Sequence, residues 1–297
     1  MKLVSLFANR KNTQPMKLHI KSPRLQFAPA VLAAASLLAS IPASQAALIA
    51  YEGFDIPDGS LQGLRGSGSG TTAWQNSTWN NTDNVWSAAA SRSLTYDSLV
   101  TTPGGGFSTG AGNQQSFRDF GLQASTGTYW MGYIFNRDIG SGSGSSSMGI
   151  SLFGSGEFTF VGQAGNPNYG FVAHFGGNFS SSTPVVSGEP TYLLARYVMD
   201  GNTSGQTSTA HYWVNPDIST EPLTADAANG PAGTSFRAFA FDRFRLGSFG
   251  AQGTVDEIRL GTTFGDVAPI PEPTSALLVG SGLMMALGRR RRSAVAR

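Results

Sequence analysis

Paired carboxylates are the groups in this chain with the clearest potential for chemistry. Retaining glycoside hydrolysis needs two carboxyl groups about 5 Å apart, one as acid and one as nucleophile. Asp256 and Glu257 are the nearest such pair, but they are adjacent in sequence. Because a regular strand points adjacent side chains to opposite faces, we expect no catalytic pair here. Asp242 could still meet Asp256 from a neighbouring strand, and Glu257 could form a cross-strand ion pair with Arg259. We favour structural roles for these charges and predict no catalytic residue.

The histidines of this chain give little indication of catalytic chemistry. His174 and His211 are the only histidines after residue 46, and no Ser-His-Asp order is visible around them. A single histidine in a strand is usually a packed or surface residue. We therefore predict structural roles for both.

Three tryptophans lie in a polar stretch of the chain. Trp74, Trp79 and Trp86 are interspersed with several Asn and Asp residues. Exposed aromatic rings could stack on sugars while the polar neighbours bind hydroxyl groups. The alternative is that these rings fill the core or cover a sheet edge, since large aromatic side chains dominate burial. Both interpretations stay open, and the first makes these three residues candidate sugar-binding residues.

Composition excludes several classes of function. The 297 residues include 38 Gly and no Cys, so disulfides, thiolate metal sites and Cys nucleophiles are absent. Between residues 47 and 268 there are nine Arg, no Lys and 17 acidic residues, a net charge of −8. Binding to phosphates needs clustered basic residues, so we expect no nucleic-acid partner.

Short alternating apolar runs, separated by Gly, Ser, Asn and Pro, predict strands and turns throughout this region. The clearest runs span residues 48–54, 128–135, 157–161, 169–175, 192–199, 209–214, 236–246 and 254–260. No amphipathic helix is evident. In the run 192–199 both faces are apolar, which indicates a central strand. Many strands over about 220 residues predict an all-β fold, a two-sheet antiparallel sandwich or jelly roll.

The N-terminus has the pattern of a secretory signal. Basic residues after Met16 precede an apolar run from Phe27 to Ile41 and a small-x-Ala site. This order predicts a signal peptide over residues 1–46, cleaved between Ala46 and Ala47, with Met16 as an alternative start of translation. We expect export through the Sec machinery.

The C-terminus, residues 269–297, combines three elements in order. They are Pro271-Glu272-Pro273, a 14-residue apolar helix from Ser275 to Gly288, and the cluster Arg289, Arg290, Arg291 and Arg292. This order resembles the PEP-CTERM sorting signal of Gram-negative bacteria. The resemblance implies an intermediate held in the inner membrane, processing by an exosortase, and a final place at the cell surface or outside the cell. A plain transmembrane anchor with a chance Pro-Glu-Pro is the alternative.

The region 47–268 resembles a second family more loosely. The opening 51–55, the run 192–196, the segment 211–216 and the endings 241–247 and 255–261 look like concanavalin A-like, laminin G-like jelly-roll domains. That resemblance implies a jelly-roll domain, and in some members a structural Ca²⁺. Asp55, Asp58 and Asp83 lie in or near predicted loops but have no EF-hand spacing. We leave the metal content open and expect no other cofactor.

These features predict an exported, non-enzymatic domain that binds carbohydrate or contributes to an extracellular polysaccharide matrix. The alternative is a secreted glycoside hydrolase or lyase of the same fold. In laminarinase-type relatives of this fold, the catalytic strand carries acidic residues at alternating positions, a pattern that this chain lacks. A self-associating surface adhesin would be a variant of the first hypothesis.

Overall fold

The structure, a computed structural model, describes residues 48–64, 75–76, 86–110, 112–138, 146–165, 167–173, 177–223 and 234–268. They form two antiparallel sheets that pack face to face, so the predicted all-β sandwich is confirmed. The predicted signal peptide and C-terminal sorting signal lie outside these residues. Within the described ranges, no helix has the length and apolar character needed to cross a membrane.

The described residues contain sixteen strands. In chain order they are β1 (Leu48–Glu52), β2 (Gly59–Ser60), β3 (Gln75–Asn76), β4 (Ser87–Ala88), β5 (Gly106–Thr109), β6 (Asn113–Gln123), β7 (Thr126–Arg137), β8 (Ser147–Phe153), β9 (Glu157–Ala164), β10 (Asn168–Ala173), β11 (Gly177–Pro184), β12 (Thr191–Asp200), β13 (Ser208–Val214), β14 (Thr234–Phe236), β15 (Phe241–Phe249) and β16 (Gln252–Gly261). One 3₁₀ turn (Ala90–Arg92) and the four-residue helix α1 (Phe264–Val267) complete the described elements.

The strands divide into two sheets. Sheet I has the order β14-β13-β12-β7-β16-β5-β4-β2, and β1 also pairs with β16. Sheet II has the order β11-β10-β9-β8-β15-β6-β3. The run 192–199 forms β12, which lies between β7 and β13, so its prediction as a central strand is confirmed.

One predicted strand is divided in two. The apolar pattern predicts a single strand over residues 236–246, but β14 ends at Phe236 in sheet I and β15 begins at Phe241 in sheet II. The connection between them carries the chain across the sandwich, and its Ala238 and Phe239 are buried in the core. Apolar periodicity continues through this crossover because both sides of it contact the same core.

The core lies between the inner faces of the two sheets. Tyr133 of β7 is fully buried and donates a hydrogen bond of 2.5 Å to the carbonyl of Val161 in β9. Phe171 of β10 stacks on Tyr212 of β13, with ring centroids 4.3 Å apart. Buried tyrosines thus fill volume and also satisfy polar groups across the interface between the sheets.

An ion pair is buried in this interface. The carboxylate of Glu52 in β1 contacts the guanidinium of Arg118 in β6, and their side chains are 0% and 3% exposed. Glu52 also accepts a 2.7 Å hydrogen bond from the amide of Phe54. Two buried charges of opposite sign thereby link the edge of sheet I to sheet II.

Candidate functional site

The outer face of sheet I is covered by its own loops. A second apolar cluster on this face includes Trp130, Tyr192 and Trp213 from the strands, and Leu94 and Leu99 from the loop between β4 and β5. The carbonyl of Val267 in α1 accepts a 2.7 Å hydrogen bond from the Tyr192 hydroxyl. Most of this face is therefore closed to a large ligand.

Asp256 and Glu257 attach that loop to the sheet. Asp256 accepts a 2.8 Å hydrogen bond from the Leu94 amide, and Glu257 accepts bonds from the Thr102 amide and the Tyr51 hydroxyl. Both carboxylates therefore contact the same outer layer, and our prediction that they point to opposite faces is wrong. The reason is a β-bulge between Asp256 and Arg259, where Glu257 has a φ of +53°.

These two acids have no access to a substrate. Both are 0% exposed. Burial raises the pKa of Asp256 to about 8, and the nearby charges of Glu257 and Glu52 add to this rise, against hydrogen bonds from two backbone amides. Arg259 forms a 2.8 Å ion pair with Glu257 in the same strand, not across strands as predicted. The group is structural.

The outer face of sheet II has a different character. Its side chains form rows across the strands, because the registers of the paired strands align. One row contains only glycines on four neighbouring strands, Gly247, Gly149, Gly162 and Gly170. Four strands spaced by about 4.8 Å give this row a length of about 14 Å. We call this row the glycine floor. Its four glycines are buried, because the Phe160 ring lies against Gly149 and the side chains of Arg245 and Phe249 lie against Gly247.

Arg245 and Glu157 stand beside this floor. Arg245 is 5% exposed, and its Nη2 donates to the Glu157 carboxylate and, at 3.0 Å, to the Ser151 hydroxyl. Ser151 in turn donates a 2.6 Å hydrogen bond to Glu157. The guanidinium carbon lies 5.0 Å and 5.7 Å from the ring centroids of Phe153 and Phe249, so both rings help to fix it.

The Nε atom of Arg245 is buried and has no hydrogen-bond partner among the described residues. A Cβ placed on Gly247 would lie 3.4 Å from this atom and 3.5 Å from the Phe249 ring. The unsatisfied donor therefore lies close to Gly247 and to the Phe249 ring. Burial lowers the pKa of the Arg245 guanidinium, and the carboxylate of Glu157 opposes that effect. Arginine remains charged in proteins despite such a shift.

A groove of about 380 Å³ lies beside Arg245 and Glu157, and the four glycines of the row are not among its lining residues. Its lining consists of Ser147, Glu157, Phe160, Ala164, Gly165, Val172, Arg245 and Phe249. Apolar walls with a few convergent polar groups are typical of ligand sites. We call this the sheet II groove and take it as the candidate functional site.

The residues predicted from sequence lie elsewhere. Trp86 is fully buried and donates to the carbonyl of Gln114, so it belongs to the core and cannot stack on a sugar. Trp74, Trp79 and His174 lie outside the described residues. His211 is half-buried against Trp213, and burial, followed by the charge of Arg196, lowers its pKa to about 4.

The remaining acidic candidates do not meet. Asp242 is in sheet II and Asp256 in sheet I, so the prediction that they could meet from neighbouring strands is wrong. Asp55 and Asp58 are exposed, and Asp58 accepts a hydrogen bond from the Ala90 amide. Asp83 lies outside the described residues. Among the residues that are described, no group of three or more His, Asp or Glu could hold a metal ion.

Sequence reasoning missed Arg245 and Glu157. A signal was present, since Arg243 and Arg245 alternate with the apolar residues Phe244 and Leu246. Two arginines on one face of a strand indicate a polar outer face. The partner Glu157 could not be assigned because the order β9-β8-β15 is not visible in the sequence.

Comparison with known proteins adds a fold relationship. No known protein family and no curated protein matches this chain. An endo-β-1,4-glucuronan lyase from the fungus Trichoderma reesei is similar in structure, with a TM-score of 0.47 and 13% identity over 74% of this chain and 97% of that one. Domain 4 of a GH43 extracellular arabinanase from Geobacillus stearothermophilus, in complex with arabinotriose, gives a TM-score of 0.45 and 14% identity over 76% and 99%. An alginate lyase in complex with an alginate trisaccharide gives a TM-score of 0.35 and 11% identity over 64% of this chain and 98% of that one.

Most of these solved structures are enzymes that act on polysaccharides. Our prediction of a domain without enzymatic activity is contradicted by this set, and we withdraw it. At such low sequence identities, the similarity between these proteins and this chain concerns the fold alone.

Proposed function

We propose that this protein is a polysaccharide-active enzyme that binds a glycan chain in the sheet II groove and cleaves it. One observation carries the proposal. The buried guanidinium of Arg245 carries an unsatisfied Nε–H in the lining of the groove, next to the Glu157 carboxylate. A buried donor without a partner costs about 1–3 kcal/mol, which a ligand oxygen at this point would recover.

The lining of the groove combines an apolar ring with charged groups. The partly exposed ring of Phe249 supplies contact area for the face of a sugar ring, while Arg245 and Glu157 supply a donor and an acceptor for the polar groups of the sugar. Glu157 retains 37% side-chain exposure, so its carboxylate can reach a bound ligand.

Filling the groove tests the proposal. A Cβ at Gly247 makes only ordinary contacts of 3.4 Å or more, with Arg245 and Phe249 of the groove lining, so Gly247→Leu places a larger side chain against these two residues. We expect this variant to lose retardation by soluble polysaccharides in affinity electrophoresis and to release no new chain ends from them. Gly265→Leu is the matched control, since Gly265 is exposed on α1 and a Cβ added there would contact the Thr263 hydroxyl alone, at 3.9 Å.

The controls define what would count against the proposal. Both variants should match the parent in circular dichroism and in thermal midpoint. If folded Gly247→Leu protein still bound and cleaved every polysaccharide that the parent does, the sheet II groove would not be the site. If the parent cleaved none of them, the enzymatic function itself would fail.

We further propose that the protein is exported by its N-terminal signal and sorted by its C-terminal one. The support is the order of elements in the sequence, from Pro271-Glu272-Pro273 to the four arginines. Intact mass of the protein from its native host tests this. We expect a chain that starts at Ala47 and ends near Pro273, whereas a chain that retains the apolar segment and the arginines would indicate a simple anchor.

A further inference from the structure

The charges in the sheet II groove distinguish between two ways of cleaving a polysaccharide. Hydrolysis of a glycosidic bond uses two carboxyl groups, about 5 Å apart in retaining enzymes and about 6.5–9.5 Å apart in inverting ones. Elimination uses one base to remove the proton next to a sugar carboxylate, together with a cation that stabilises the negative charge formed there. The number of carboxylates in the groove is therefore informative.

The described lining of the groove contains one carboxylate, that of Glu157, and one cation, that of Arg245. Asp119 is on the same face of the sheet, but β6 and β9 are three strands apart, a separation of about 14 Å. Asp242 lines a different pocket, beside Phe158 and Phe239. The described residues thus supply the groups for elimination and lack the pair for hydrolysis.

The sign of the developing charge favours the same reaction. Hydrolysis passes through a transition state with positive charge on the sugar ring, which the nearby buried guanidinium of Arg245 would oppose. In elimination, negative charge moves from the base to the substrate carboxylate and its neighbouring carbon. Arg245 contacts Glu157 through Nη2 and has an unpaired Nε–H, so it lies beside the negative charge of the base and offers a donor to the anion that forms on the substrate. Such a fixed, poorly solvated charge stabilises an anion without reorganisation.

We propose that the groove accepts a polysaccharide of uronic acids and that the chain is cleaved by β-elimination. Arg245 holds the sugar carboxylate through Nε–H. Glu157 removes the proton from C5, the carbon that bears this carboxylate, and the C–H electron pair becomes the C4=C5 double bond. The C4–O bond breaks, its electron pair leaves with the oxygen of the departing chain, and that oxygen takes up a proton from water, while Glu157 returns its own proton to the solvent. No oxidant or reductant is needed.

The contact between the two residues fits this assignment. The carboxylate and the proton to be removed belong to the same carbon atom, so the two protein groups must be neighbours. Ser151 fixes that arrangement, because its hydroxyl donates to Glu157 and accepts from Arg245. This inference rests on the proposed function of the groove and adds to it a substrate class and a reaction.

A matched pair of polymers tests it. The purified protein is incubated with polyuronates, such as glucuronan or alginate, and with the same polymers after chemical reduction of their carboxyl groups. Elimination gives an unsaturated uronate that absorbs ultraviolet light, whereas hydrolysis gives new reducing ends without this absorbance. We expect absorbance to rise with a polyuronate and no cleavage of its reduced counterpart.

Variants of the two residues provide an independent measurement. Glu157→Gln should reduce turnover by about 10²-fold or more while binding to the polyuronate in affinity electrophoresis persists. Arg245→Lys should reduce turnover by about 10²–10³-fold and also weaken binding, because lysine lacks the Nε donor. Arg243→Lys is the control, since Arg243 lies on the same face of β15 but outside the groove lining.

The possible results separate the two proposals. Reducing ends from a neutral polymer without absorbance would overturn elimination but leave a polysaccharide-cleaving groove. Binding of polyuronate without cleavage would also overturn elimination. An equal loss of turnover in Arg243→Lys and Arg245→Lys would overturn it too. Absence of cleavage with every polymer would overturn the proposed function as well.

Discussion

Asp256 should make the stability of this protein fall as pH rises through the neutral range. Its pKa is raised to about 8 in the folded protein, from an ordinary value near 3.9 in the unfolded chain. Below pH 4 both states hold the proton. Between about pH 4 and pH 8 only the unfolded state releases it, so each pH unit costs the folded state about 1.4 kcal/mol. Above pH 8 both states are ionised and the loss stops growing.

Asp256→Asn removes this titration. The amide cannot accept from both the Leu94 and the Glu257 backbone amides, as the carboxyl group does, so the variant should also show a constant loss of stability. The slope is the informative quantity. The difference in unfolding free energy between parent and variant should decrease by an amount on the order of 5 kcal/mol from about pH 4 to about pH 8.

Urea unfolding at a series of pH values measures this difference directly, because all other titrating groups are common to both proteins and cancel. Folded spectra at each pH provide the control. A difference that stays constant across the range would show that Asp256 titrates at an ordinary pH. The reasoning from burial would then be refuted.

Two other changes test the packing of the sandwich. Glu52→Gln removes the charge that Arg118 contacts in the interface and should lower the free energy of unfolding, measured in urea, by about 3–5 kcal/mol. Replacing both residues by apolar ones should recover much of this loss. Equal stability of the single and double variants would contradict this prediction. Gly162→Ala should lower the thermal midpoint far more than Gly156→Ala, because a Cβ at Gly162 would overlap the Met148 carbonyl oxygen with φ at +152°, while no atom lies within 4 Å of one at Gly156. Similar midpoints for the two variants would disagree with the close approach of β8 and β9.

The fold could be predicted from the sequence because alternation directly reflects burial. Strands β7, β9, β12 and β13 lie where apolar residues alternate or run continuously. β6 gave a weaker signal, since Gln114, Ser116 and Arg118 are buried polar residues, of which Gln114 is paired with Ser108 and Arg118 with Glu52. Because buried polar residues interrupt the alternation of apolar residues, a strand that contains them is hard to recognise in the sequence.

The site could not be predicted for two physical reasons. Arg245 and Glu157 meet only because β15, β8 and β9 are neighbours in sheet II, and this strand order is not visible in the sequence. The bulge at Glu257 is the second reason, because one additional residue turned its side chain to the same layer as that of Asp256. Register and bulges depend on pairing partners distant in sequence, which spacing along one strand does not reveal.

The pairing of β1 with β16 has a mechanical consequence. Leu48, the first residue of β1, is paired with Gly261, the last residue of β16. A tensile load applied between these two residues would act along the hydrogen bonds of this pair and break them one after another, as a zipper opens. The edge strand β1 would peel away under a small force, while the central strands of both sheets, and with them the groove on the opposite side of the sandwich, would keep their registers. The joint at β1 would thus yield first and protect the rest of the domain from strain.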